Sequence, residues 1–400
     1  MRRVVFFAVL IAAVCDLCLH PMLLADQPVS VTPAVVCGHT SSLFDGKSLD
    51  GWTVENEAKV EVQDGVLLLK DGNGWLRSNH LYADFQLHLE WKALKGEKYD
   101  AGIYLRAVPG GAPFPKRGYQ ANLLKGKEGN IGSLPGAESQ GLVKFGEWNA
   151  FDITVVGDKV TTLINGQHAY SVSGIKEPVG HVGIQVEVPL GGQFLLRNLQ
   201  ITELGFCSLF NGKDFTGWQG ADQDAKTCWK IEEGLLVCTG QKGPWLRSCG
   251  EYGDYSLRFD YLLAPGGNSG VYVRVPQDGN HHRDNDTKPP AGFEVQVLDD
   301  ASPQYATLKD FQYSASVYDI VGANPRITRA AGQWNTLEIN CDGHHVTTRH
   351  NGVIVTDVTA ESHPAIKLRE LKGFLGLQNH STEVKFRNLR IGAPVANPSR

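Results

Sequence analysis

The sequence predicts an all-β chain made of two tandem jelly-roll β-sandwiches. Three observations carry that expectation: an internal repeat, period-two alternation of apolar residues, and Asn-Gly or Asp-Gly pairs between the alternating runs. With 400 residues the chain exceeds what one hydrophobic core usually organises. The repeat divides it. Ser42-Leu43-Phe44-Asp45-Gly46-Lys47, ending at Gly51-Trp52, returns as Ser208-Leu209-Phe210-Asn211-Gly212-Lys213, ending at Gly217-Trp218. Trp75-Leu76-Arg77-Ser78 returns as Trp245-Leu246-Arg247-Ser248, Gly102-Ile103-Tyr104-Leu105-Arg106 as Gly270-Val271-Tyr272-Val273-Arg274, and Trp148-Asn149 as Trp334-Asn335. Arg197-Asn198-Leu199 closes the first copy and Arg387-Asn388-Leu389 the second. The modules therefore span 40–203 and 207–394, with no flexible linker between them.

The spacing between equivalent residues grows along the chain, and its growth locates insertions. It is 166 at Leu43 and Leu209, 168 at Arg106 and Arg274, 174 at Tyr119 and Phe293, and 186 at Trp148 and Trp334. The second copy thus carries extra loop on both sides of Gly292-Phe293-Glu294. Long loops on a compact sandwich tend to be functional.

The strands follow from alternation. Phe85 to Trp91, Ser256 to Leu262 and Val346 to His350 alternate or are rich in β-formers. Asp64-Gly65, Asn165-Gly166 and Asn351-Gly352 sit where tight hairpins are expected, because type I′ turns need positive φ at both central residues. Two antiparallel sheets packed face to face bury such one-sided strands most economically. Helical periodicity is absent outside the N-terminus.

The N-terminus reads differently. Arg2-Arg3 precedes the apolar stretch Val4 to Val14 and a small Ala25 follows, which predicts a secretory signal peptide over 1–25 and a secreted or periplasmic protein. Neither repeat contains an apolar run long enough to span a bilayer, so no membrane span is expected once the signal is removed. The net charge of -5, with mixed signs and no basic stripe, argues against nucleic acid as a partner. Beyond the leader, Cys37, Cys207, Cys228, Cys238, Cys249 and Cys341 form an even set, as expected in an oxidising compartment. If Thr227 to Ile231 and Leu235 to Thr239 pair around Glu232-Glu233-Gly234, Cys228 and Cys238 face each other within disulfide reach; two free buried thiols are the alternative.

Candidate chemistry comes from polar pairs at i and i+2 inside apolar strands, since such residues share one face of a sheet. The second copy has three: Tyr272 with Arg274, Glu294 with Gln296, and Gln378 with His380. Taken singly, each pair reads as the solvent side of a strand. On neighbouring strands they would bring a carboxylate, an imidazole, a guanidinium and amides together, a set suited to acid/base work on a polyol. Trp75 and Trp245 recur in both copies and read as core anchors more than as sugar platforms. The run His281-His282-Arg283-Asp284-Asn285-Asp286, with His344-His345, reads as solvated loop; no spacing resembles a zinc site, and no metal or cofactor is expected.

The ordered set resembles the 3-keto-disaccharide hydrolase family, which comprises 3-keto-glucoside lyase and 3-keto-2-hydroxyglucal hydratase domains on a concanavalin A-like sandwich. Its marks here are Leu209-Phe210-Asn211-Gly212-Lys213 through Gly217-Trp218, Gly253-Asp254-Tyr255, Asn268-Ser269-Gly270-Val271-Tyr272-Val273-Arg274, Gly292-Phe293-Glu294-Val295-Gln296-Val297-Leu298-Asp299, Trp334-Asn335, and Gly376-Leu377-Gln378-Asn379-His380 through Phe386-Arg387-Asn388. The resemblance implies an enzyme acting on an oxidised disaccharide or glucoside, with Glu294 and His380 as the acid/base pair and Arg274, Gln296, Tyr318, Tyr272, Gln378 and Asn268 binding substrate. A ketone at carbon 3 acidifies the proton on carbon 2, so the aglycone leaves by β-elimination and water adds back. A non-catalytic lectin-like module and a structural envelope protein are the competing readings.

The first copy departs from this pattern. Gln120 stands where Glu294 does, Glu187 falls near the place of His380, and Gly129 to Leu134 offers no counterpart of Tyr318, while Tyr104, Arg106, Asn122 and Gln185 persist. A carbohydrate-binding or spacer module is expected there.

Overall fold

The computed structural model describes residues 37–395, so the leader predicted over 1–25 lies outside the described residues. Each repeat folds as two antiparallel sheets, one of eight strands and one of five, and the described residues contain no α-helix, only five short 3-10 turns. The chain is all-β, two tandem jelly-roll sandwiches. In the first module the five-stranded sheet runs Trp52–Asn56, Asn73–Ser78, His181–Glu187, Gly102–Val108, Arg117–Asn122. Its counterpart in the second runs Trp218–Gly220, Leu246–Tyr252, Gly373–Leu377, Asn268–Val275, Phe293–Leu298. The three strands carrying the polar pairs are neighbours.

Alternation sets which face is which. Phe293, Val295 and Val297 point into the second core with Val271, Val273, Leu375 and Leu377, facing Leu257, Phe259 and Tyr261 of the eight-stranded sheet. Glu294 and Gln296 therefore lie on the outer face. The hairpins close as the turn chemistry requires: Asp64 and Gly65, Asn165 and Gly166, and Asn351 and Gly352 all have positive φ, at 48° and 78°, 52° and 76°, and 44° and 86°.

The cysteine hairpin corrects one expectation. Glu232 pairs with Leu235 and Trp229 with Cys238, so the turn is the two residues Glu233-Gly234, at φ 51° and 77°, not three. That moves the register by one, and a one-residue slip turns a side chain to the other face. Cys228 and Cys238 remain separate buried thiols, donating to Pro244 O and Asn379 Oδ1, each at 3.3 Å. The disulfide instead joins Cys37 to Cys207 with Cα atoms 5.0 Å apart, tying the residue just before the first strand of one module to the first strand of the other.

The two sandwiches meet through charge. Glu203, 2% exposed near the end of the Phe194–Leu204 strand, takes Arg258 and Arg390 of the second module. Arg258 is also 2.9 Å from Glu338, and Arg329 donates to Asp50 at 2.8 Å. Burial alone would raise the Glu203 pKa, but Arg390 and Arg258 outweigh it and hold the carboxyl below its usual range. Removing one member of such a cluster strands the others without compensation. Glu203→Ala should therefore lower the unfolding free energy by about 3–5 kcal/mol in denaturant titration. A loss below about 1 kcal/mol would place the cluster with exposed ion pairs and refute its role in joining the modules.

Candidate active site

On the outer face of the second five-stranded sheet, a pocket of about 250 Å³ brings together Asn268, Glu294, Gln296, Gln378, His380 and Tyr318. The expected insertions wall it. Residues 276–292 supply His281 and His282, and the segment after Leu298 supplies Tyr305, Gln312 and Tyr318. The second loop is zipped to the sheet edge: Ala315 N donates to Gln296 O at 2.8 Å, Gln296 N to Ser316 O at 3.1 Å, and Tyr318 N to Glu294 O at 2.9 Å. Tyr318 is thereby fixed beside Glu294. Its hydroxyl accepts from Gln312 Nε2 at 2.8 Å, which leaves its own proton to donate.

Glu294 is 3% exposed. Burial, reinforced by the negative charge of Asp319, pushes its carboxyl up to about 8. The nearest basic atom is His281 Nε2, 3.4 Å from Oε2. His281 Nδ1 lies 3.0 Å from Gly279 O, and since a carbonyl only accepts, Nδ1 carries the proton and Nε2 presents its lone pair to Glu294. Burial also lowers the His281 pKa, so the pair holds one proton at neutral pH, on the carboxyl. Behind it, His282 reaches Asp319 at 2.6 Å.

The amides around the carboxyl are placed with equal economy. Gln296 Oε1 accepts from Val297 N at 2.9 Å, turning its NH₂ outward. Gln378 Nε2 donates to the Tyr272 hydroxyl at 3.1 Å. Gln378 Oε1 and Asn268 Oδ1 are buried and accept no hydrogen bond from the protein. Two unpaired acceptors beside a protonated carboxyl suit a ligand rich in hydroxyl donors. His380 lies just past the Gly373–Leu377 strand, its ring open to solvent, and its loop is pinned by Asn379 Nδ2 donating to Gln241 O and Gly243 O.

Arg274 is elsewhere. A bulge between Tyr272 and Val275 puts Arg274 at φ 52°, so the i, i+2 rule fails and the two side chains part. Its guanidinium, 1% exposed, donates to Gly253 O, Gly343 O and Asp254 at 2.7–2.8 Å, tying together loops at the end of the sandwich. Arg106 does the same in the first module, at φ 48°, with Ala83 O, Gly157 O, Glu177 O and Asp84 as acceptors. Both arginines are structural clasps. His281 and His282, from the run read as solvated loop, line the pocket, His281 partly buried and His282 exposed. No local periodicity marks them; the lengthened spacing around Phe293 is the only sequence signal. Among the described residues no group of three or more His, Cys, Asp or Glu could hold a metal ion.

The first module closes the same polar positions on themselves. Gln120 Nε2 donates to Gln185 Oε1, and Gln185 Nε2 to Glu187 Oε2. The Gln185 oxygen is paired here, whereas that of Gln378, its counterpart in the second module, accepts no hydrogen bond from the protein.

The chain is 28% identical over 226 residues to a protein of Bacteroides thetaiotaomicron named 3-keto-disaccharide hydrolase, covering 47% of this chain and 78% of that one. Two solved glycosyl hydrolase candidates from Parabacteroides distasonis are similar at 22% and 24% identity, each with a TM-score of 0.39; they cover 48% and 47% of this chain, and 94% and 98% of their own. No helix among the described residues is long and apolar enough to cross a membrane. The model of the 3-keto-alpha-glucoside-1,2-lyase-like domain matches twice, over residues 39–202 and 205–392, and the chain belongs to that family.

Proposed function

We propose that the second module cleaves 3-keto-glucosides by elimination followed by hydration, a net hydrolysis. The observation that carries this reading is a buried carboxyl, pushed up to about 8, set in a pocket with two buried acceptors that no protein donor satisfies. His380 takes the proton from carbon 2, and the electron pair passes to the carbon 3 oxygen as an enolate. Tyr318 and the Gln296 NH₂ donate to that oxygen, the task that Arg274 is too distant to perform. The bond from carbon 1 to the glycosidic oxygen breaks, and Glu294 gives its proton to the departing oxygen. His281 Nε2, 3.4 Å from Oε2, holds the carboxyl in place. Water then adds at carbon 1 of the glucal while carbon 2 regains a proton. The Cys37–Cys207 disulfide supports an extracytoplasmic location for this activity.

Two experiments test the assignment. Incubated with a 3-keto-disaccharide, the wild-type protein should release both sugars, and Glu294→Gln and His380→Ala should each lower kcat by about 10²–10⁴-fold with the fold intact. Undiminished turnover in both variants would remove these residues from the mechanism, and saturable sugar binding without product would favour the lectin-like reading.

The second test is thermodynamic. The folded-state value of about 8 exceeds the ordinary carboxyl value of 4.5, so the folded protein binds the extra proton between them. Stability therefore falls as pH rises through that window, by up to ~1.4 kcal/mol per pH unit. Glu294→Gln removes the titrating group, and its stability advantage over wild type should grow steadily from about pH 5 to pH 8. Parallel curves for the two proteins would show that Glu294 is not held neutral by the fold.

A further inference from the structure

The outer face does not end at the pocket. Its Gln378 wall is shared with a wider groove of about 1010 Å³ lined by Tyr272, Trp245, Lys242, Gln277 and Asp278. Tyr272 is fixed there by the Gln378 hydrogen bond and by stacking on His281, with ring centroids 4.7 Å apart and planes at 22°. Any ligand leaving the pocket across this wall meets Trp245. We propose that the groove holds the departing half of the substrate, with Trp245 as its platform, so that the protein selects a leaving group with a flat apolar face and a polar rim: a second pyranose ring. The proposal rests on the keto-glucoside reading and deepens it.

Three observations support this assignment. The pocket around Glu294 is small, below the usual range of about 300–1,000 Å³ for larger ligands, and suits one ring. The second ring of a disaccharide needs adjoining space, and the groove provides it with acids, amides and a lysine around an aromatic centre.

The Trp245 ring is also held in advance of binding. It lies over Gly376, where a Cβ would come 2.4 Å from the indole, and Gly279 approaches the same indole closely enough that a Cβ would be 3.0 Å away. Tyr272 meets it edge-on at 5.2 Å and 73°. A platform already immobilised loses little entropy when a sugar stacks on it.

The comparison inside the chain completes the case. Trp75, at the same place in the first module, packs edge-on against Tyr104 at 5.7 Å in the same way, yet is only 1% exposed and is packed in a small cluster with Ala107 and Phe114. Trp245 is half-buried and open to the groove. The copy that keeps the carboxyl is the one that leaves its tryptophan accessible.

The test compares a 3-keto-disaccharide with methyl 3-keto-glucoside, whose leaving group cannot reach the groove. Trp245→Ala should lower the ratio of kcat/KM for the disaccharide to that for the methyl glucoside by about 10- to 100-fold, and Trp245→Phe should recover most of it. Calorimetric titration of Glu294→Gln with the intact disaccharide, with and without Trp245→Ala, should show the same loss in affinity. An unchanged ratio, or equal losses on both ligands, overturns the groove assignment while leaving catalysis standing. Trp245-dependent binding of the disaccharide by a wild-type protein that forms no product supports the groove and overturns the catalytic reading instead.

Discussion

Glu294 can lie flat over its sheet only because residue 270, on the neighbouring strand, is glycine. A Cβ at that position would stand 1.9 Å from Oε1. Everything else about the site follows from this permission. With the carboxyl pressed onto the strand it is desolvated from below, and the two inserted loops desolvate it from above, so it keeps its proton near neutral pH. The same device recurs across the sheet, where Gly376 makes room for Trp245, and in the first module, where Gly102 lies under Gln120 and Gly183 under Trp75. A glycine in a strand weakens the strand, and here the loss is offset by the side chain it admits.

The fold was legible because its determinants are local. Period-two alternation and Asn-Gly turns specify strands and hairpins within a few residues, and the repeat supplied each reading twice. The site was legible only where strands stayed regular. Glu294, Gln296 and Gln378 lie where alternation puts them, whereas Arg274 sits on a bulge whose positive φ no pattern of residue types announces. The Cys228 and Cys238 expectation failed for a related reason, since one residue in the turn decides which face a thiol takes. His281 and His282 come from a loop without periodicity, and their partners Glu294 and Asp319 are set by tertiary packing alone.

The two modules share a frame and differ in hydrogen-bond saturation. In the first, Gln120, Gln185 and Glu187 satisfy one another in a chain that leaves little for a ligand. In the second, the exchange of Gln120 for Glu294 and of Glu187 for His380 removes both of Gln185's partners, and Gln378 is left with one donor engaged and its acceptor free. A buried acceptor without a donor costs on the order of 1–3 kcal/mol, which a hydroxyl-bearing ligand can return as binding energy. The modules thus differ in which polar groups are paired and in the loops above them.

The first module also supplies charge to the second. Arg258 and Arg390 are among the most deeply buried side chains of the second module, and the carboxylate that both of them bind, Glu203, comes from the first. Without it, Glu338 and the more distant Asp260 would face two guanidiniums in a low-dielectric setting, an arrangement far costlier than the intact cluster. The first module therefore completes the electrostatics of its neighbour's eight-stranded sheet, whose strand Tyr255–Leu263 carries Arg258 outward and Leu257, Phe259 and Tyr261 inward to the core beneath the pocket.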